Sequence, residues 1–349
     1  MEIGSEFWGV PIQDNEEISL PKGLQYVLSG RTALELTARD LIKERGIRSV
    51  CLPAYCCDSM ITPFRCLGLE VCFYEVRPSG EGLRRFLEED HGCDAVLLMD
   101  YFGFSQTETK DLAEREHALG RSVILDCVQS LFSEGGAEIY ADYRVMSWRK
   151  WFFSCAGAAV KRTGEWKVRP HKPPLEEYVR LRKEGAERKS AWLFKGIGDK
   201  QSFLNAYVGA EELLDTDFAG YEADPESLSG LRHLDSSFIR DRRRENAGFL
   251  YRELADMDRE RIRPLFGEPG EGDVPLFVPV LVKDSLRDPL RRFLIGNQIY
   301  CPVHWPDAGT GGGKELYAGE LSLLCDQRYK REDMQRQINT IKEFFDQHG

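Results

Sequence analysis

The sequence predicts an α/β protein in which helices sandwich a large, mostly parallel sheet, with a smaller α/β domain at the C-terminal end. Three observations lead there. Short, continuously apolar runs such as Ala95-Val-Leu-Leu-Met99 and Ser122-Val-Ile-Leu-Asp126 alternate with segments of helical period. A strand covered by helices on both faces reads as such a run. A second, shorter alternation follows a long helical pattern that starts at Ser236. A chain of 349 residues is also long enough for one large domain and a smaller companion.

Taken in order, residues 1–20 read as an arm carrying exposed-looking aromatics, Phe7 and Trp8. The large domain is expected over 21–235 and the small one over 236–349. A helix is predicted from near Arg31 to Arg45, because Leu34, Ala38, Leu41 and Ile42 form one apolar stripe. Then come strand Ser49–Pro53, helix Asp58–Leu67, strand Glu70–Glu75 and a helix around Gly82 to Glu89. Strand Ala95–Met99, helix Thr107–Leu119 and strand Ser122–Asp126 follow, with short strands Tyr143–Ser147 and Ala156–Val160. Charged helical patterns, Glu176–Lys189 and Gln201–Asp215, lead out of the sheet region. After helix Ser236–Met257, the small domain reads as strand Pro275–Val282, helix Pro289–Ile295, strand Tyr300–His304 and helix Arg331–Phe345. Asp307-Ala-Gly-Thr-Gly-Gly-Gly313 lacks the spacing and context of a phosphate-binding loop and reads as a flexible connection.

Composition removes several function classes. A formal net charge of −11 argues against a chain-wide nucleic-acid surface. No apolar run reaches the length of a membrane span, and the acidic N-terminal residues lack the pattern of a secretory signal, so the cytoplasm is the expected compartment. Cys51, Cys66, Cys72, Cys93 and Cys127 read as small buried hydrophobes in a reducing setting. The adjacent pair Cys56-Cys57 lacks redox or zinc spacing, and no metal site is expected. His91, His117, His171, His233 and His348 sit in charged or terminal contexts and read as surface residues.

The chemistry-bearing stretch runs from Ala141 to Val160, where Ser147 and Lys150 are interleaved with Trp148, Trp151, Phe152 and Phe153. A lysine held among apolar side chains loses hydration, which favours the neutral amine, and a neutral amine can attack an aldehyde. A surface loop with its aromatics turned to a core would carry the same residues. Asp126 ends a predicted buried strand and needs a cation. Its partner is either an arginine or a backbone nest, or else the protonated nitrogen of a pyridine ring, with Gln129 donating to a phenolic oxygen on the same ring. A helix starting after Gly30 leaves N–H groups at Arg31 and Thr32 for an anion such as a phosphate, which Ser147 could also hold.

These segments together resemble the DegT/DnrJ/EryC1/StrS group of pyridoxal-phosphate-dependent sugar aminotransferases. Ser29-Gly-Arg-Thr-Ala-Leu34 resembles its phosphate turn, and Leu52-Pro-Ala-Tyr-Cys-Cys57 its first strand end. Leu125-Asp-Cys-Val-Gln-Ser130 is similar to its E-D-A-A-Q segment, and Ser147-Trp-Arg-Lys150 to its S-x-x-K lysine. His304-Trp-Pro306 and Leu323-Leu-Cys-Asp-Gln-Arg-Tyr329 look like its C-terminal landmarks. The resemblance implies transferase fold type I and pyridoxal 5'-phosphate as cofactor. It implies Lys150 as Schiff-base lysine and general acid/base, Asp126 on the ring nitrogen, Gln129 on the phenolic oxygen, and Ser147, Arg31 and Thr32 around the phosphate. Where the family stacks an aromatic on the ring this chain has Cys57, with Tyr55 two residues back as a substitute. His304 is either a substrate ligand or a satisfied histidine near the domain interface, and Arg328 either a substrate contact or a structural ion pair. The implied reaction moves an amino group from glutamate or glutamine to a keto-sugar or related carbonyl metabolite, with a nucleotide sugar among the candidates, in a homodimer with shared active sites. The alternatives are a lyase or dehydratase on the same cofactor, or a non-catalytic cofactor-binding regulator. Lys150 counts against the dehydratase, in which that lysine is typically replaced.

Overall fold

The computed structural model describes residues 1–9, 19–80 and 82–348. In chain order, the first half comprises β1 (Ile3–Gly4), β2 (Leu24–Val27), α1 (Gly30–Arg45), β3 (Ser49–Pro53), α2 (Asp58–Cys66), β4 (Glu70–Pro78) and β5 (Leu83–Phe86). It continues with β6 (Ala95–Met99), α3 (Thr107–Ala118), β7 (Ser122–Asp126), β8 (Tyr143–Ser147) and β9 (Gly157–Lys161). Next come α4 (Glu176–Lys195), α5 (Lys200–Thr216), α6 (Pro225–Arg232) and α7 (Ser236–Ala255). The last part holds β10 (Ile262–Pro264), β11 (Val278–Val282), α8 (Asp284–Gly296), β12 (Ile299–Tyr300), α9 (Lys314–Gly319), β13 (Glu320–Leu323) and α10 (Arg331–Gln347).

Eight strands form the main sheet in the order β2-β9-β8-β7-β6-β3-β4-β5. The interior pairs β4/β3, β3/β6, β6/β7 and β7/β8 are parallel, and antiparallel pairs close both edges. All residues of β3, β6 and β7 are buried, as their uninterrupted apolar runs require. A continuous core joins this sheet to the C-terminal elements, with Val50, Leu97, Ile124, Leu250, Val280 and Ile338 all inaccessible. Helix α1 starts where expected: the Ser29 hydroxyl accepts the Thr32 N–H at 3.1 Å, and Gly46 ends the helix in the left-handed region. Such a cap contributes about 1 kcal/mol. Among the described residues no helix is long and apolar enough to cross a membrane.

Four expectations are corrected. The segment after Gly82 is the edge strand β5, in which Leu83 and Arg85 point inward and Arg84 and Phe86 outward, a period of two. Arg85 turns inward because its guanidinium reaches Met99 O at 2.7 Å and Gln106 Oε1 at 3.0 Å. The strand expected over Tyr300–His304 is only two residues long and pairs with β1 instead of joining the small sheet. Pro302 has no N–H for a ladder, and β13 fills the antiparallel place beside β11 that a βαβ unit would have given it. Phe7 and Trp8 are buried rather than exposed, packed on the Arg328 guanidinium at 4.1 and 4.8 Å. Residues 10–18 of the expected arm lie outside the described part. The glycine-rich connection is docked: Thr310 Oγ1 donates to Ala54 O at 2.7 Å and Gly313 N to Glu75 Oε1 at 2.8 Å. A Cβ at Gly312 would stand 2.7 Å from that of Ala54, so a glycine is needed for this approach.

Candidate active site

The carboxyl ends of β3, β6, β7 and β8 and the start of α1 meet at a cavity of about 90 Å³. Arg31, Cys57, Asp126, Gln129, Ser147, Lys150 and His304 all line it, together with Ser29, Ser59, Met99, Leu276 and Trp305. These residues come from distant parts of the chain and are brought together by topology, at the strand ends where parallel sheets collect ligands. A larger cavity of about 270 Å³ shares none of these residues; Phe152, Phe153, Val179 and Ile239 give it a mainly apolar lining. Size therefore does not mark the chemistry here.

Asp126 is the last residue of β7 and is 2% exposed. Its Oδ1 accepts the Val128 N–H at 2.8 Å, and among the described residues no cation lies within ion-pair distance. Burial pushes the carboxyl up to about 6, against the opposing pull of the Val128 N–H and of Lys150. Gln129 Oε1 accepts the Phe102 N–H at 2.8 Å, which fixes the amide so that its NH₂ is the donor left for the cavity. Lys150 is the last residue of a single helical turn after β8, lines the cavity and is exposed at its mouth. Among the described residues its amine has no hydrogen-bond or ion-pair partner. Desolvation first, then the neighbouring Arg149 charge, holds its pKa below the ordinary lysine value. Arg149 turns away from it to Glu211 and to Tyr178 Oη.

The start of α1 is pressed against the end of β8. A Cβ at Gly30 would lie 3.1 Å from that of Ser147, and one at Gly157 would lie 2.4 Å from the Ser29 carbonyl carbon. The first helical N–H groups have no intrahelical acceptor, and Ser147 stands beside them. Together with the unpaired Asp126 carboxylate, these features fit a phosphorylated pyridine: a donor cradle at one end and an anion without a cation at the other.

The remaining predicted residues divide between the cavity wall and the layer behind it. Thr32 is inaccessible, and its hydroxyl is shared with Ser29 Oγ at 2.9 Å, so it braces the helix cap that Ser29 presents to the cavity. Arg31 reaches the cavity wall, yet its guanidinium is held by Leu214 O and Asp215, each at 2.7 Å. Tyr55 lies one layer behind, its ring against those of Tyr101, Trp305 and Tyr317 at 5.6, 5.1 and 5.1 Å. Cys57 and Trp305 face the cavity in its place. His304 is positioned by Ser322 Oγ at 2.9 Å from Nδ1 and by Glu320, which accepts its N–H at 2.6 Å.

Arg328 is not a cavity residue. It forms a bidentate pair with Asp326, both bonds 2.8 Å, and donates to Ser5 O and Glu6 O. With 3% of its side chain exposed, it clamps the N-terminal segment to the body. Arg328→Ala leaves the Asp326 carboxylate buried and unpaired, and is expected to cost about 3 kcal/mol in urea denaturation. The KM for any substrate should stay within about twofold of wild type, because uniform binding is untouched. A large rise in KM with unchanged stability would return Arg328 to a substrate role.

Sequence reasoning passed over Ser29, Ser59, Met99, Leu276 and Trp305. Ser29 and Trp305 carried signals, as N-cap and as the residue after His304. Leu276 is an ordinary apolar residue brought in by the chain's path.

No protein-family model and no curated protein sequence matches the chain. Solved structures do. The aminotransferase TlmJ from Streptoalloteichus hindustanus matches with a TM-score of 0.68 at 17% identity, over 93% of this chain and 86% of TlmJ. PseC from Helicobacter pylori, an aminotransferase involved in the biosynthesis of pseudoaminic acid, matches with a TM-score of 0.68 at 14% identity, over 99% and 100%. The sugar aminotransferase CalS13 from Micromonospora echinospora gives 0.60 at 16% identity, over 92% and 87%. The chain has the fold of these aminotransferases. It is the type I transferase fold expected from the sequence, with a large, mostly parallel sheet between helices and a smaller C-terminal α/β region.

Proposed function

We propose that the protein is a pyridoxal-phosphate-dependent aminotransferase of the DegT/DnrJ/EryC1/StrS group, acting on a sugar-related carbonyl compound with glutamate or glutamine as amino donor. The observation that carries this reading is a pair of groups in one cavity: a buried Asp126 carboxylate without a cation and a Lys150 amine without an acceptor among the described residues. When bound, pyridoxal phosphate supplies an electron sink for charge developing at the substrate carbon. Asp126 would hold a positive charge on the ring nitrogen, and the Gln129 NH₂ would donate to the phenolic oxygen. Ser147 and the first N–H groups of α1 would hold the phosphate. Lys150 Nζ, its pKa lowered by desolvation and by the Arg149 charge, would take a proton from the substrate carbon and return it to the cofactor's aldehyde carbon. Sugar-related chemistry is supported by the descriptions of PseC and CalS13. A homodimer is part of the reading, because Lys150 stands open to solvent in the single chain and a partner surface would exclude water from it.

The test is optical. Protein reconstituted with pyridoxal phosphate should be yellow, and glutamate should bleach the band while 2-oxoglutarate accumulates. A stable yellow band under glutamate and glutamine would defeat the aminotransferase reading and leave a lyase or a regulator. A colourless reconstituted protein would defeat the cofactor itself.

A further inference from the structure

We propose that Cys51, Cys72, Cys93 and His91 form a structural zinc site at the end of the sheet opposite the Lys150 cavity. The donor atoms of Cys51, His91 and Cys93 all lie within 4.8 Å of one another. In a tetrahedral zinc site with Zn–S bonds near 2.3 Å, sulfurs stand about 3.8 Å apart, so small side-chain movements close this group on an ion. Cys72 supplies the fourth ligand. It is the register partner of Cys51 across the parallel pair β3/β4, which puts the two side chains on the same face of the sheet. Three thiolates and one imidazole are a common closed set for structural zinc, with no position left for a substrate.

The site is built from separate pieces. Cys51 lies in the middle of β3, Cys72 in the first half of β4, and His91-Gly-Cys93 in the turn that leads into β6. Gly92 makes that turn in the left-handed region, at φ +71°, which lets residues on either side of it face one point. His91, expected on the surface, has only 6% of its side chain exposed. Its Nε2 is 3.0 Å from Glu116 Oε2, and that carboxylate is itself fixed by Arg115 and Arg121 at 2.7 and 2.8 Å. Such a carboxylate holds the imidazole tautomer and leaves the other nitrogen to the metal. Here that nitrogen, Nδ1, receives the Cys93 N–H at 3.2 Å, a long bond that the ion would replace. Cys72 is half-buried, which gives the ion a way in. Binding converts three thiols to thiolates and releases three protons, with no change of oxidation state.

The test uses the full-length, reduced protein, loaded with Zn²⁺ or with Co²⁺ as a spectroscopic probe. One metal ion per chain is expected to survive dialysis, with thiolate-to-cobalt charge-transfer bands and the intense visible bands of a tetrahedral site. Cys93→Ala should abolish the bands, whereas Cys66→Ala, which removes the exposed thiol at the end of α2, should keep them. Glu116→Gln should weaken zinc binding by about 10–100-fold, a readout that remains if Cys93→Ala does not fold by circular dichroism. Lys150→Ala should bind the metal as wild type does, so failure of the aminotransferase reading and failure of the metal site are separable. Absence of metal in the folded, reduced chain would overturn the proposal. So would cobalt bands that persist in Cys93→Ala, or a native mass two hydrogens light from a disulfide in the cluster.

Discussion

Lys150→Ala is expected to lower transamination by about 10⁴-fold or more while leaving the fold intact. The size follows from what the amine is placed to do. Among the described residues it is the one strongly basic side chain of the cavity left uncommitted, since Arg31 is held by Leu214 and Asp215 and Arg149 by Glu211. Stability should change little, because the amine has no partner to lose, and relief of desolvation offsets the lost packing of the stem. Borohydride treatment of the reconstituted wild type should fix the cofactor to a single peptide containing Lys150, and mass spectrometry should find no such peptide in the variant. Activity within tenfold of wild type in Lys150→Ala would remove the lysine from the chemistry.

The parts of this molecule that were legible in the sequence share a physical character. β3, β6 and β7 announce themselves because burial on both faces demands a run without polar residues, and α1 because its cap and its apolar stripe agree. Asp126, Ser147 and Lys150 stand out because a polar residue at the end of such a run is unusual. What was not legible depends on partners far away in sequence. Leu83 to Phe86 is a strand because β4 offers an edge and Arg85 finds Met99 O. Tyr55 does not line the cavity because its ring packs among those of Tyr101, Trp305 and Tyr317, with Trp305 taking the cavity face. Arg328 is structural because the N-terminal segment returns across the molecule to meet it. His91 looks like a surface residue and Cys93 like a small buried hydrophobe until β3 and α3 bring Cys51 and Glu116 beside them.

Asp126→Asn is expected to separate stability from activity. In the folded, cofactor-free chain the carboxyl is raised to about 6, from an ordinary aspartate value of about 3.9. A group raised on folding favours the folded state below the unfolded value and loses that contribution as pH climbs through the folded one. The wild-type apoprotein should therefore lose about 2 kcal/mol between pH 4 and pH 6 from this residue alone. Asparagine is neutral throughout. At pH 7 the variant should be more stable than wild type by about 1–3 kcal/mol, and near pH 4 the difference should shrink towards zero. Urea denaturation of both apoproteins at the two pH values measures this directly. Transamination should fall about 10³-fold, because the neutral amide cannot hold a charge on the ring nitrogen. In the loaded wild type that cation would meet the carboxylate and draw its pKa back down, so cofactor binding should weaken in the variant by a similar factor. A variant less stable than wild type at pH 7, or equally altered at both pH values, would mean that Asp126 is a satisfied structural carboxylate. The strain would then have no cation to answer it, and the strongest physical reason for a charged ring in this cavity would be gone.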